Sequence, residues 1–412
     1  MNGRKYAGIR EVERIGMSVT ECVRRIARFG AFAEMLMRVQ AGRMNETADW
    51  DFKAMLGRQL WESAVQWGVW RERLLELRGH EVDIARAGEG KLGDFAAELL
   101  ASRGDDEFAA GLYGVALPGY RAALLRYCDE TNLLVDAPTV RAIRIALLDV
   151  DEHLQFGAVG CADGAPEWRA HLQAYLDAAG GVDGVQGERP SFDLPEPRSE
   201  GEFAPAQAFA RDARFRTSVP KVNPYGDGAE DVRTALLAKM WVRTQEMTAA
   251  ELCASVLYEW RELPYEGCLA LARHCWDEVR HSLFGQAALE VEGIALESLP
   301  SWVGYAGHTM PFSPQKRYAH LAIATEAAMM KHPGGKRGEW EWCRDKVCHA
   351  LMTTFQDFDW ADEVNHVKFG RDWLIGFFFG GDRAKAQAVA DETVKDRLAF
   401  YAQSRPEPDG GY

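Results

Sequence analysis

The chain reads as all-α: two antiparallel helical bundles joined by a stretch without helical character. Three observations lead there. Apolar residues recur at three- and four-residue spacing over most of the 412 positions, the pattern of helices that bury one face. Nothing sustains the apolar–polar alternation that a half-buried strand needs. Between Gly180 and Gly228 the period lapses, and GGVDGVQGERPSFDLPEPRSEGEF gathers Gly, Pro and acidic residues, a composition suited to a surface connection.

In chain order, the first half carries helical patterns over Val19–Val39, Phe52–Leu77, Phe108–Tyr127 and Val140–Gln155. The second half carries them over Val232–Leu263, Tyr265–Glu290, Tyr318–Met330 and Trp342–Phe378. Asn45, Pro138, Pro264 and Pro333-Gly334-Gly335 separate them, as turn-forming residues do. Pro118 falls inside a helical pattern, so that helix is expected to kink or split there. The expected layout is a bundle over 1–185, a linker over 186–229 and a second bundle over 230–412, two domains of ordinary size.

Composition narrows the function classes. Hydrophobic residues at 47% and charged residues at 27% describe a globular chain and exclude wholesale disorder. A net charge of −14 repels phosphates, so nucleic acid is not an expected partner. The longest apolar run, around Trp373–Gly380, falls short of the ~20 residues of a membrane helix, so no membrane partner is expected. The opening MNGRKYAGIREVERIG lacks an apolar secretory core. The eight cysteines (Cys22, Cys128, Cys161, Cys253, Cys268, Cys275, Cys343 and Cys348) form no CxxC pair. Reduced, buried thiols in a cytoplasmic protein are the expectation.

A repeat carries the chemistry. Residues 276–285 read WDEVRHSLFG and 360–370 read WADEVNHVKFG, sharing D-E-V-x-H-x-x-F-G. Two weaker echoes lie in the first half. WESAVQWGVW at 61–70 has Ser63 and Gln66 at the Glu and His positions. DVDEHLQFG at 149–157 keeps His153 but has Val150 at the Glu position. Four related helix hairpins from an internal duplication account for this, with a complete ligand set only in the second bundle.

A Glu and a His three residues apart share one face of a helix. Two such helices, with one further carboxylate from each of two others, build the dinuclear carboxylate cage of ferritin-like bundles. Glu278/His281 and Glu363/His366 are the two pairs, 85 residues apart. Glu326 is the only acidic residue in HLAIATEAAMMKHP, where a carboxylate is costly unless paired or metal-bound. For the fourth helix Glu246, Glu251, Glu259 and Glu262 compete. A symmetric break at Pro264 puts Glu251 level with Glu278, whereas Glu246 precedes Glu278 by 32 residues, close to the 37 between Glu326 and Glu363. Glu246 is taken as the ligand and Glu251 as an outer-layer candidate. Asp277 and Asp362, each directly before a motif Glu, are positioned to accept a ligand histidine's N–H. His274, four residues before Glu278, lies on the same face, an arrangement that resembles some N-oxygenating di-iron enzymes.

The second half resembles the bacterial ferritin-like family catalogued as domain of unknown function 455. The resemblance covers roughly 205–380 and rests on RDARF at 211–215, TQEMTAAEL at 244–252, DEVRH at 277–281 and DEVNHVKFGRDW at 362–373. Thr244 replaces the histidine that opens the family's first motif, and EAAM at 326–329 replaces its E-A-R-G. The resemblance implies a ferritin-like bundle whose dinuclear iron site uses Glu246, Glu278, His281, Glu326, Glu363 and His366. A looser similarity reaches a tRNA-modifying di-iron hydroxylase, which the net charge of −14 disfavours.

The expected activity is that of a di-iron oxidase or oxygenase using O₂ on a small-molecule substrate. Glu246 and Glu326 would be terminal carboxylates, and Glu278 and Glu363 bridging ones. Two iron ions, or a manganese–iron pair, are the expected cofactor, with an external electron donor and a homodimer both open. The alternative is a ferroxidase or a non-catalytic bundle stapled by metal.

Overall fold

The computed structural model describes residues 6–158, 164–187, 194–226, 231–331 and 334–403. It is mostly helical, with one pair of three-residue strands among the described residues. The chain divides into two compact units, one formed by 1–40 with 62–203 and the other by 41–61 with 204–412.

The helices of the first half are α1 (Val19–Arg43), α2 (Trp50–Glu76), α3 (Glu81–Gly88), α4 (Lys91–Leu100), α5 (Gly104–Gly111), α6 (Leu117–Glu130), α7 (Ala137–Ala158) and α8 (Pro166–Ala178). Residues 41–61, which comprise the end of α1, the connection after it and the first turns of α2, are counted with the second unit, a grouping that local hydropathy has no means of marking. The expected disturbance at Pro118 takes a specific form: a π-helical segment, Leu112–Ala116, joins α5 to α6, and Pro118 opens α6. The widened turn accommodates a residue that lacks an N–H and crowds the preceding turn. Aromatic rings fill the core of this unit. Phe29 lies 5.6 Å from Trp70 and 5.7 Å from Tyr127, and Phe32 lies 5.3 Å from Tyr120, ring centre to ring centre.

In the second unit the expected continuous helix over Val232–Leu263 is two helices, α9 (Val232–Thr244) and α10 (Met247–Glu259). Gln245 and Glu246 form a tight turn between them, with Glu246 N–H donating to the Arg243 carbonyl at 3.0 Å. Then follow α11 (Tyr265–Val291), α12 (Gly304–Thr309), α13 (Pro314–Ala319), α14 (Ala328–Lys331), α15 (Gly335–Trp342), α16 (Ala350–Phe369) and α17 (Arg383–Gln403). A π-helical segment, His320–Ala327, fuses α13 to α14, and another, Gly370–Phe378, extends α16. The expected helix from Trp342 to Phe378 is interrupted at Cys348, whose φ of 57° is left-handed. The strands β1 (Arg216–Ser218) and β2 (Pro300–Trp302) pair in parallel, Arg216 opposite Pro300.

Four rods close a circuit: α10 packs on α11, α11 on α16, α16 on the His320–Ala327 segment, and α13 on α10. Burial is unusually complete there. From Met247 to Tyr258 every residue of α10 is buried. Seven cysteines lie among the described residues and all are free, five of them buried. Cys161 lies outside the described residues. No described helix is long and apolar enough to cross a membrane.

Candidate metal centre

The circuit of rods brings together the six side chains singled out as ligands. Glu246 comes from the α9–α10 turn, Glu278 and His281 from α11, Glu326 from the π-helical segment, and Glu363 and His366 from α16. Both imidazoles and three of the four carboxylates are buried, and Glu246 is half-buried. Their ligand-type atoms form overlapping groups: His274, Glu278, Glu326 and His366; Glu246, Glu278 and His281; His281, Asp359 and Glu363. Glu278 belongs to two of them. One of its oxygens faces His366 Nδ1 at 3.4 Å, and the other faces His281 Nδ1 at 3.9 Å.

Each motif's aspartate serves the other motif's histidine. His366 Nε2 lies 3.4 Å from Asp277 Oδ2, and His281 Nε2 lies 3.3 Å from Asp362 Oδ2. An N–H at Nε2 donating to a carboxylate leaves Nδ1 as the free nitrogen of a neutral imidazole, and in both residues Nδ1 points at the glutamates. The aspartates are themselves held: Arg273 Nε donates to Asp277 at 2.7 Å, and Arg280 reaches Asp277 and, at 2.7 Å, Asp362. Burial opposes the charged form of Asp277, but His366 and Arg280 outweigh it and hold the carboxyl at about 2.

Three of the four glutamates are tied by one oxygen each. Arg243 holds Glu246 Oε1 at 2.7 Å, Lys336 holds Glu363 Oε1 at 2.7 Å, and His274 Nε2 holds Glu326 Oε1 at 2.8 Å. The second oxygens of Glu246, Glu326 and Glu363, and Nδ1 of His281 and His366, are buried without a hydrogen-bond partner. Unpaired buried polar atoms are expensive, and five of them in one cluster are the donor set that divalent cations satisfy. Carboxylate oxygens with imidazole nitrogens suit iron or manganese. Burial pushes the Glu246 carboxyl up to about 7, against the pull of Arg243 and Lys336. Burial opposes the charged form of Glu363 too, but Lys336 and His366 win and drive its pKa down.

Glu251 lies outside the cluster. Arg211 grips it with both arms, at 2.6 and 2.9 Å, and buried Lys53 pairs with the same carboxylate. Its partners come from RDARF and from the first turn of α2, so Glu251 braces the bundle and has no oxygen to spare. His274 sits inside the cluster, its ring stacked 3.8 Å from that of His366, with Nδ1 3.2 Å from the Tyr318 hydroxyl.

Sequence reasoning passes over Arg243, Lys336 and Asp359. Lys336 Nζ lies 3.1 Å from both Asp359 oxygens, and Arg243 Nη1 lies 2.8 Å from one of them. For Asp359 a signal exists. It stands four residues before Glu363, as His274 stands four before Glu278. Arg243 and Lys336 carry no such spacing. A cavity of about 510 Å³ opens on the cluster, and all four glutamates line it.

No protein-family model matches the chain, and neither a curated protein nor a solved structure matches it.

Proposed function

We propose that the second unit is a ferritin-like bundle holding two iron ions, and that the protein is an oxidase or oxygenase acting with O₂ on a small molecule. The reading rests on five unpartnered buried atoms, from Glu246, His281, Glu326, Glu363 and His366, that share one cluster. Glu246, His281 and Glu363 would hold one ion, and Glu326 and His366 the other, with His274 steadying Glu326. Glu278 would span both, with one oxygen toward each half. Bound ferrous iron supplies the electrons and the open coordination positions for oxygen chemistry.

The protein's own part is orientation and exclusion. Asp277 and Asp362 keep each imidazole in the tautomer that presents Nδ1 inward. Arg243 and Lys336 hold Glu246 and Glu363 by one oxygen, so the other keeps its aim. The π-helical segment sets the Glu326 register; Thr325 Oγ1 donates to the His320 carbonyl within it at 3.0 Å. The cavity is what favours catalysis over a stapling role: a metal that only fastened the bundle would need no 510 Å³ space against its carboxylates.

The first unit fits a duplicated bundle that has lost its ligands, with Ser63 and Val150 at the two bridging positions. Membership of the ferritin-like family named above is part of the same proposal.

The test is oxygen uptake by the iron-loaded chain during a substrate screen. The expected result is O₂ consumption beyond that of iron oxidation alone, matched by product. Uptake that stops when the bound iron is oxidised, whatever compound is present, would leave only a ferroxidase.

A further inference from the structure

The cavity holds cations of two kinds. Arg243 and Lys336 line it and are ion-paired with Glu246, Asp359 and Glu363. Lys221 and Arg397 also line it, yet among the described residues neither makes an ion pair or a hydrogen bond. Lys221 only rests its ammonium 4.9 Å from the centre of the Trp302 ring. A protein with net charge −14 has carboxylates in excess, so two cations at one cavity with no ion-pair partner among the described residues are not a default of composition.

Two phenols join them. Tyr305 is 6% exposed and its hydroxyl, beside the Thr325 side chain, makes no well-formed hydrogen bond, and the buried Tyr401 hydroxyl, beside the Trp302 side chain, makes none either. Both line the same cavity. A buried O–H without an acceptor costs free energy that a ligand would restore. The Arg397 charge acts on Lys221, Tyr305 and Tyr401 alike, so the four groups are electrostatic neighbours. Lys221 is exposed as a residue, yet desolvation of its ammonium, with the Arg243 and Arg397 charges, lowers its pKa against the pull of Glu246.

We propose that these four groups form an anion clamp and that the substrate is a small apolar carboxylic acid, with its carboxylate on Arg397 and Lys221 and hydrogen bonds from Tyr305 and Tyr401. A guanidinium fork matches a carboxylate in two parallel bonds. Trp302 and Met329 offer apolar wall for the rest of the molecule. One carboxylate fits better than a polyanion, because four glutamates line the same space and would repel additional negative charge. The inference rests on the oxygenase reading for what happens to the bound acid, but the clamp itself is testable apart from it.

Benzoate, phenylacetate and hexanoate, each against its neutral amide, are titrated into the full-length protein by calorimetry, with bound iron counted in the same samples. The carboxylates are expected to bind about tenfold or more tightly than their amides, the gain of one charge-assisted contact. Arg397→Gln is expected to erase that preference while the iron count stays at the wild-type value. Arg397→Lys, which keeps the charge and loses the fork, should retain part of it, and Tyr305→Phe should weaken carboxylates about threefold. Equal binding of acid and amide, binding of neither, or an Arg397→Gln variant that folds and keeps the preference would overturn the clamp. A chain without stoichiometric iron that still prefers the acids would sink the oxygenase reading and leave the clamp standing.

Discussion

The two units carry the same pair of cross-helix contacts around different centres. In the second, Asp277 meets His366 and His281 meets Asp362. In the first, Glu62 meets His153 at 2.6 Å and Gln66 meets Asp149 at 3.0 Å. With the tryptophan and Phe-Gly positions of the repeats superposed, these are the same four positions. The close approach of helices matches as well. A Cβ on Gly370 would stand 2.8 Å from Ala322 Cβ in one π-helical segment, and a Cβ on Gly157 would run into Tyr113 in the other. Four residues past Ala322 stands Glu326; four past Tyr113 stands buried Leu117.

What differs is the layer inside. Ser63 and Val150 occupy the positions of Glu278 and Glu363, and both are buried. The lesson is that the outer pairs have a packing value of their own. They fasten two helices by buried or partly buried hydrogen bonds whether or not a ligand set lies within. The inner glutamates have no such value, because buried carboxylates repel each other unless cations sit among them. An Asp-His pair in such a bundle therefore says little about metal, and the inner carboxylates say nearly everything.

Breaking the inner layer should have the largest effect. Glu278→Ala and His366→Ala are each expected to abolish stoichiometric iron binding, read by metal analysis after anaerobic loading. Next is Lys336→Met, which takes a buried ammonium from Asp359 and Glu363. Metal-free protein should lose about 3–5 kcal/mol in urea unfolding, and iron-loaded protein distinctly less, because bound cations take over the compensation. Equal losses in both states would argue that no cation sits beside Glu363. The outer pair of the first unit comes third: Glu62→Ala leaves buried His153 without this partner and should cost about 1–3 kcal/mol with the iron count unchanged. Smallest is Ser63→Ala, which gives up one contact with Gln40 at 3.4 Å. It should cost about 1 kcal/mol or less and no iron.

The two E-x-x-H pairs were legible in the sequence because a three-residue spacing defines a helix face without any tertiary knowledge. Glu326 was legible because an isolated carboxylate in an apolar helix demands an explanation. The choice between Glu246 and Glu251 was harder. The apolar period runs unbroken from Val232 to Leu263 and hides the turn at Gln245–Glu246 that aims Glu246 inward. The fate of Glu251 depends on Lys53, 198 residues away, and on Arg211. No local pattern carries such pairings. The same holds for Lys336 and Arg243, whose meaning comes only from the carboxylates that folding brings to them.

The most direct test is Mössbauer spectroscopy of the full-length protein loaded anaerobically with ⁵⁷Fe(II) and then exposed to oxygen. The account predicts two irons per chain that become a spin-coupled ferric pair. A single iron, or two that remain magnetically independent, would contradict it.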